Sequence, residues 1–521
     1  MLILLQTYPV SLSRSARGAK TAHCGAALLT ESLAEFARIC GDERATEPEN
    51  SEGIILSLRR RTGADEKGIR ESYYEAFVLA LVMCLSPFKA LAYAAPFLAG
   101  SWFLYKSRSL SGRRRARRVL ASALGLVVTY WLFRAHYSMA AGLLAIVTYG
   151  TFFLLVIIPT ESLASKDLLD RMTGLVGKVL IVEAIVGIAQ ALVSASRSGG
   201  FDLSNGDAVQ GTIHLSFISD ASFSNPIYAA NMTFFLLALA PYLMSKKRRV
   251  FWPILLGTVA LILASVIHMI LFAAVGLMFA LLLFHPSLPR KMNKFQLVSA
   301  VVLGPVLAIA VLSDNLRNIT YQAGLFAGGD LPKAVMVYRA LYEMPHDYPA
   351  MPLVGLGPGQ FSSRASLIST GRYFGGLDDP KTVPLIRENV SPALSEYLAD
   401  LWVDASDVQA YGGSSSAKPF FSWMSVYTEL GAPALVGVFV YALLLLRRMK
   451  VSAQSSEQKW LAVCSGAGIC FLLLLGFQEN YWEVPQGLLT GLMLVQVMYA
   501  NIVYQRKVRE QRTTPLATVE S

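Results

Sequence analysis

The sequence predicts an all-α, polytopic membrane protein with about twelve transmembrane helices and one large, mostly helical external loop. Three observations carry that expectation. Of 521 residues, 54% are hydrophobic and only 16% charged, against roughly 25% charged in an ordinary soluble domain. The apolar residues gather in runs of about 16 to 22, close to the ~20 residues a helix needs to cross the hydrocarbon core. The basic residues stand in short clusters between those runs, so the positive-inside rule accounts for a formal charge of +11 without an anionic macromolecule as partner. These observations argue against a cytosolic globular enzyme and against nucleic-acid binding. The five cysteines (Cys24, Cys40, Cys84, Cys464 and Cys470) fall in the amino-terminal tail or in apolar runs, so no disulfide framework or zinc site is implied.

Residues 1–72 read as a polar cytoplasmic tail. Residues 2–5, its only noticeable apolar stretch, are too short for the h-region of a secretory leader. An amphipathic helix is plausible at 26–40, with Ser32 and Glu35 as a capping pair; an unstructured extension is the plainer reading. Residues 73–313 form a first membrane domain of nine spans. Its first apolar stretch, 74–105, is long for one crossing and short for two. Basic residues lie on both sides of it, so the chain crosses twice, with Pro87 and Lys89 at the outer turn. The same parity makes 250–284 a hairpin. Single spans are expected at 119–133, 139–159, 174–195, 227–244 and 295–312. Residues 419–504 add spans at 423–446, 460–477 and 484–503, and 505–521 are a cytoplasmic tail. Both termini are then cytoplasmic, and two long segments are external, 196–224 and 314–418. The second holds eight Lys/Arg and eleven Asp/Glu and alternates helical stretches with turns, as expected of a helical cap.

Soluble-enzyme signatures are lacking: there is no Walker A sequence, HExxH, GxSxG or Asp-x-Asp. Gly355, Gly357 and Gly359 have no strand-helix unit around them, and a sharp turn is the physical reading of Gly355, Gly357, Pro358 and Gly359. Within the membrane, Glu183 lies near the middle of a span with Gln190 beyond it. Ionisable groups there are costly and face the bundle interior, for function or for a structural hydrogen bond.

The stretch from Tyr338 to Phe361, with Arg339 followed by Pro352-Leu-Val-Gly-Leu-Gly-Pro-Gly-Gln-Phe361, resembles the signature of the O-antigen ligase and polymerase superfamily. Phe223-Ser-Asn-Pro-Ile-Tyr-Ala229 and Tyr427-Thr-Glu-Leu-Gly431 are similar to two flanking family segments. Two departures stand out. Phe420 and Phe421 occupy the positions of the His-Asn pair of family ligases, and the Ser-Arg of the seventh span is missing, leaving His268 as the nearest cationic candidate. The resemblance implies a multi-pass glycosyltransferase of the bacterial inner membrane. It would transfer or polymerise polyprenyl-diphosphate-linked repeat units at the periplasmic face, as an exopolysaccharide or O-antigen polymerase. Membrane lipid, a flippase and a chain-length regulator are the implied partners, with no cofactor and no metal. A ligase proper, a lipid-linked oligosaccharide flippase and an inactive assembly partner are the alternatives.

A diphosphate leaving group is already ionised, so fixed cations matter more than a proton donor. Arginine suits that role because its planar fork binds phosphate oxygens and keeps its charge. Arg339 is the first choice by motif position, with Arg364, Arg372, Arg387 and His268 as further diphosphate-binding candidates. His346, beside Asp347, and Glu429 are the candidates for a general base on the acceptor hydroxyl. Glu429 can also serve only the helix terminus it sits at.

Overall fold

The computed structural model describes residues 51–198, 208–215, 224–244, 248–286, 313–371, 373, 380–381, 390–406 and 417–513. The expected helix at 26–40, the expected span at 295–312 and much of the segment 196–224 lie outside them. Every regular element among the described residues is helical, as the sequence predicts. The chain divides after Lys67 into two units. The described part of the first is the start of helix α1 (Ser51–Cys84).

In the second unit, α1 ends at Cys84, and a break containing Pro87 leads into α2 (Lys89–Lys106). Proline lacks the N–H a helix needs and pushes the residue before it out of helical geometry. α3 (Leu110–Phe133) begins where the Ser109 side chain accepts the Gly112 N–H. α4 (Met139–Thr148) and α5 (Gly150–Ile157) are two halves of one apolar run, bent by 57° at Tyr149. α6 (Lys166–Ser198) and α7 (Asn225–Met244) follow. α8 (Phe251–Leu263) and α9 (Ile267–Phe284) are parted at Ser265, whose φ of +57° cannot continue a helix. Beyond lie α10 (Ser313–Gly328), α11 (Pro332–Tyr338), α12 (Arg364–Ser369), α13 (Pro392–Tyr397) and α14 (Ala399–Asp404). α15 (Ser422–Leu430) and α16 (Ala432–Ser452) are hinged by Gly431, and α17 (Ser456–Gln478) and α18 (Pro485–Thr513) complete the chain.

Among the described residues six helices, α3, α6, α7, α9, α17 and α18, are long and apolar enough to cross a membrane, and the bent α4–α5 run makes seven. This is a multi-pass membrane protein by helix length and composition, with fewer clear spans than the twelve expected. Part of the difference is physical. α8 has 13 residues, about 20 Å at ~1.5 Å per residue, short of the ~30 Å hydrocarbon core.

Lipid is as apolar as leucine, so close packing rather than water exclusion holds such helices together. α9 packs on α17 where both carry small residues: a Cβ on Gly276 would stand 2.9 Å from the Ala467 carbonyl oxygen. α8 packs on α6, with Gly257 against Leu180. α18 is enclosed by α17, α7 and α2. α3 instead turns Leu120, Leu124, Val128, Trp131 and Leu132 outward, the surface that suits acyl chains.

Hydrogen bonds sort the connections into two ends. At one, Thr212 Oγ1 donates to Leu85 O (3.0 Å), Gln486 Nε2 to Ser86 O (3.3 Å) and Arg134 to Gly355 O (3.0 Å). At the other, Arg70 Nε donates to Ser162 O (3.3 Å), Tyr504 to Glu161 (3.1 Å) and Tyr242 to Asp170 (2.8 Å). The first end also carries a second, smaller apolar cluster, in which Met336, Met344, Phe361, Leu394, Leu398 and Phe420 join α11 to α13 and to the approach to α15.

Candidate functional site

The Gly355 to Arg364 segment is fixed by its backbone. Gly355, Gly357 and Gly359 all have positive φ (+76°, +108° and +76°), the region where a Cβ clashes with the chain. Gly359 also passes so close to α4 that a Cβ there would fall 2.2 Å from Ala141 O. Leu356 and Gly357 donate their N–H groups to the carbonyls of Thr428 (2.8 Å) and Glu429 (3.0 Å), docking the turn on the end of α15. From the end of α3 and the turn after it, Tyr137 donates to Pro358 O (3.1 Å), and Ser138 exchanges two hydrogen bonds with the Gln360 side chain.

Two buried carboxylates complete the clamp. Glu429 accepts the N–H groups of Gly359 (2.6 Å), Phe361 (2.9 Å) and Ser363 (3.1 Å). Burial lifts its carboxyl above the ordinary range, against the pull of those donors. Glu483, in the turn between α17 and α18, accepts the Arg364 N–H (2.6 Å) and the Tyr149 hydroxyl (3.2 Å). Burial, reinforced by the nearby Glu429 charge, pushes it up to about 8. Of the pair, Glu483 is the one that holds a proton near neutrality. Between them Asn480 donates to Ser362 O (2.7 Å).

The turn delivers Arg364 to the start of α12, where Ser363 caps the helix by accepting the Ser366 N–H. Arg364 is 9% exposed; its guanidinium donates to the Tyr373 hydroxyl and lies 3.7 Å from Glu479. Lys418 reaches the same Glu479 oxygen at 3.3 Å. Lys333, from α11, is 2% exposed; its ammonium donates to Gln478 O and faces the Phe421 and Phe477 rings at 5.4 and 5.8 Å. Burial pulls Lys333 down to about 7, with Lys418 adding to the fall and Glu479 opposing it. Burial would raise Glu479, but Lys418, Arg364 and Lys333 together hold it below its ordinary range. Arg364 keeps its charge despite burial, because the tyrosines and carboxylates around it favour the cation. Lys89, at the start of α2, is also within reach of the Arg364 charge. Three cationic side chains thus converge on one ionised carboxylate, and Arg364 Nε is buried without a hydrogen-bond partner. Such a cluster is suited to an oxyanion with several oxygens.

Of the residues singled out in the sequence, the structure brings together Glu429, the four turn residues, Arg364 and His268. His268 lies within electrostatic reach of Lys333 and Glu479, with Nε2 buried and unpartnered. Arg339 sits apart, in a bidentate pair with Asp400 (2.8 Å to each oxygen) and a further bond to Tyr397 O. His346 is exposed, while its neighbour Asp347 accepts the Tyr397 hydroxyl. Arg372 and Arg387 lie outside the described residues. Glu183 accepts both the N–H and the hydroxyl of Thr212, and Gln190 ties Gln210, Gly211 and His214, so both hold the 208–215 segment in place. Sequence reasoning passed over Glu479 and Glu483; their signal was the polar sextet Gln478-Glu-Asn-Tyr-Trp-Glu483 between the last two apolar runs. No protein-family model, curated protein or solved structure matches the chain.

Proposed function

We propose that this chain is a membrane glycosyltransferase of the O-antigen ligase and polymerase superfamily. In this reading it acts on polyprenyl-diphosphate-linked oligosaccharide at the external face, as a polysaccharide polymerase. The observation that carries the reading is the convergence of Arg364, Lys333 and Lys418 beside the glycine turn. A sugar hydroxyl attacks the anomeric carbon of the donor while the bond from that carbon to the diphosphate breaks. The lipid diphosphate leaves with the bonding electrons, and the hydroxyl proton passes to its oxygens. Fixed cations lower the barrier because negative charge grows on the departing oxygens as the bond lengthens. Arg364 takes the position first assigned to Arg339, and the scheme needs no metal. Glu429 accepts three N–H donors of the turn and acts by holding it. Twelve spans, cytoplasmic termini and an inner-membrane location complete the proposal.

A deletion strain separates this from a flippase. It should lack long polymer while single repeat units accumulate on the outer leaflet, where an added glycosidase or lectin reaches them in spheroplasts. Units confined to the inner leaflet would identify a flippase, and normal polymer not joined to lipid A would identify a ligase.

A further inference from the structure

Glu479 presents an oddity within the cluster. A carboxylate in a site built for a diphosphate repels the ligand, yet this one is 7% exposed and occupies the place between two of the cations. Its Oε1 lies 3.3 Å from Lys418 Nζ and 3.7 Å from Arg364. The second contact is long for a charge-assisted bond of ~2.7–2.9 Å, and Arg364 Nε has no partner. Arg364 therefore has donor capacity that Glu479 leaves unfilled. The backbone at Glu479 is held independently of its carboxylate: its carbonyl accepts from the N–H (3.3 Å) and the hydroxyl (3.2 Å) of Ser422. The side chain can swing away while the turn stays in place.

We propose that Glu479 is an internal stand-in for the diphosphate, exchanging with it on Arg364 and Lys418 during each catalytic cycle. The inference rests on the diphosphate reading above. With the site empty, the carboxylate offsets the charges of Arg364 and Lys418. An arriving diphosphate offers more oxygens than the carboxylate and displaces it from Arg364 and Lys418. After transfer, the same carboxylate competes for the cations and speeds departure of the lipid diphosphate. The exchange explains how a site that gathers Arg364, Lys333 and Lys418 avoids being poisoned by its own product. The groups facing Glu479 are Lys418, Arg364 and Lys333, with His268 and Tyr481 also in electrostatic reach.

The test uses the full-length protein purified in detergent, with inorganic pyrophosphate as the probe. Glu479→Gln removes the competing charge and keeps the shape. It should bind pyrophosphate about tenfold tighter or more, as expected when a like charge is removed a few ångströms from the ligand. Glu479→Asp, whose carboxylate is drawn back by one methylene, should fall between, which keeps the proposal testable if the glutamine variant folds poorly. In steady-state transfer, Glu479→Gln should lower KM and kcat together, because product release slows; a merely structural glutamate would leave KM unchanged or raise it. Equal or weaker pyrophosphate binding by both variants, beside clear binding by the wild type, overturns the stand-in role alone. Absence of binding to the wild type and both variants overturns the diphosphate reading and this inference with it.

Discussion

Glu429→Gln separates a scaffold from a general base. The carboxylate offers Oε2 to Gly359 and Oε1 to Phe361 and Ser363. A glutamine placed there has one acceptor oxygen. If it serves Phe361 and Ser363, its NH2 faces the Gly359 N–H, leaving one buried donor unsatisfied at about 1–3 kcal/mol. The two surviving bonds lose their charge assistance, about 0.5–1.5 kcal/mol each. Burying a neutral amide costs less than burying a carboxylate and returns part of this. A net loss of about 2–4 kcal/mol is expected, large against the ~5–15 kcal/mol that holds a typical domain folded. Thermal unfolding of the full-length protein in detergent should show a lower midpoint, and limited proteolysis should show faster cleavage between Gly355 and Arg364. Wild-type stability and protection, combined with lost transfer activity, would refute the scaffold reasoning and return Glu429 to the chemistry.

Gly359→Ala should destabilise the turn strongly. Its φ of +76° costs an alanine about 1–2 kcal/mol, and the added Cβ strikes Ala141 O. Gly324→Ala, within α10 and with nothing within 4 Å, should instead raise the unfolding midpoint slightly. Arg364→Met should abolish pyrophosphate binding measured by calorimetry. Arg339→Ala should retain it and lose no more than about 1 kcal/mol of stability, since its pair with half-exposed Asp400 is a surface one. Stability should pass through a minimum near pH 7–8. Glu483 is raised from 4.5 to about 8, so the folded state holds its proton longer than the unfolded chain and stability falls as pH rises through that interval. Lys333 is lowered from 10.5 to about 7, so the folded state releases its proton first and stability climbs again from about 7 to 10.5. Unfolding midpoints from pH 5 to 10 should show both limbs, with Glu483→Gln flattening the acid limb and Lys333→Met the alkaline one.

Elements governed by local chemistry were legible in the sequence. The break at Pro87 and the glycine turn at 355–359 follow from residues adjacent in the chain, and the parting within 250–284 from the basic clusters on either side of it. The bend at Tyr149 was not legible, because the residues on both sides of it are equally apolar. The site was half legible. Arg364 was a candidate only as one of several loop arginines. Arg339 ranked above it on motif position, which contains no information about Asp400 arriving from 61 residues away. Glu479 and Glu483 come from a connection far beyond the turn, Glu483 lying 119 residues after the Arg364 N–H it accepts, and no periodicity links the two segments.

The turn's shape is stored outside the turn. Nearly every fastening of residues 355–364 is to a main-chain atom, and the side chains that make the fastenings belong to Arg134, Tyr137, Glu429, Asn480 and Glu483. A chimera that imports only the short glycine motif would therefore carry the letters without their grammar. Within the turn, the three glycines are fixed by backbone geometry and Leu356 by its burial in the second apolar cluster. In engineering terms the transplantable unit is discontinuous: the end of α3, the end of α15 and the turn before α18 must travel together.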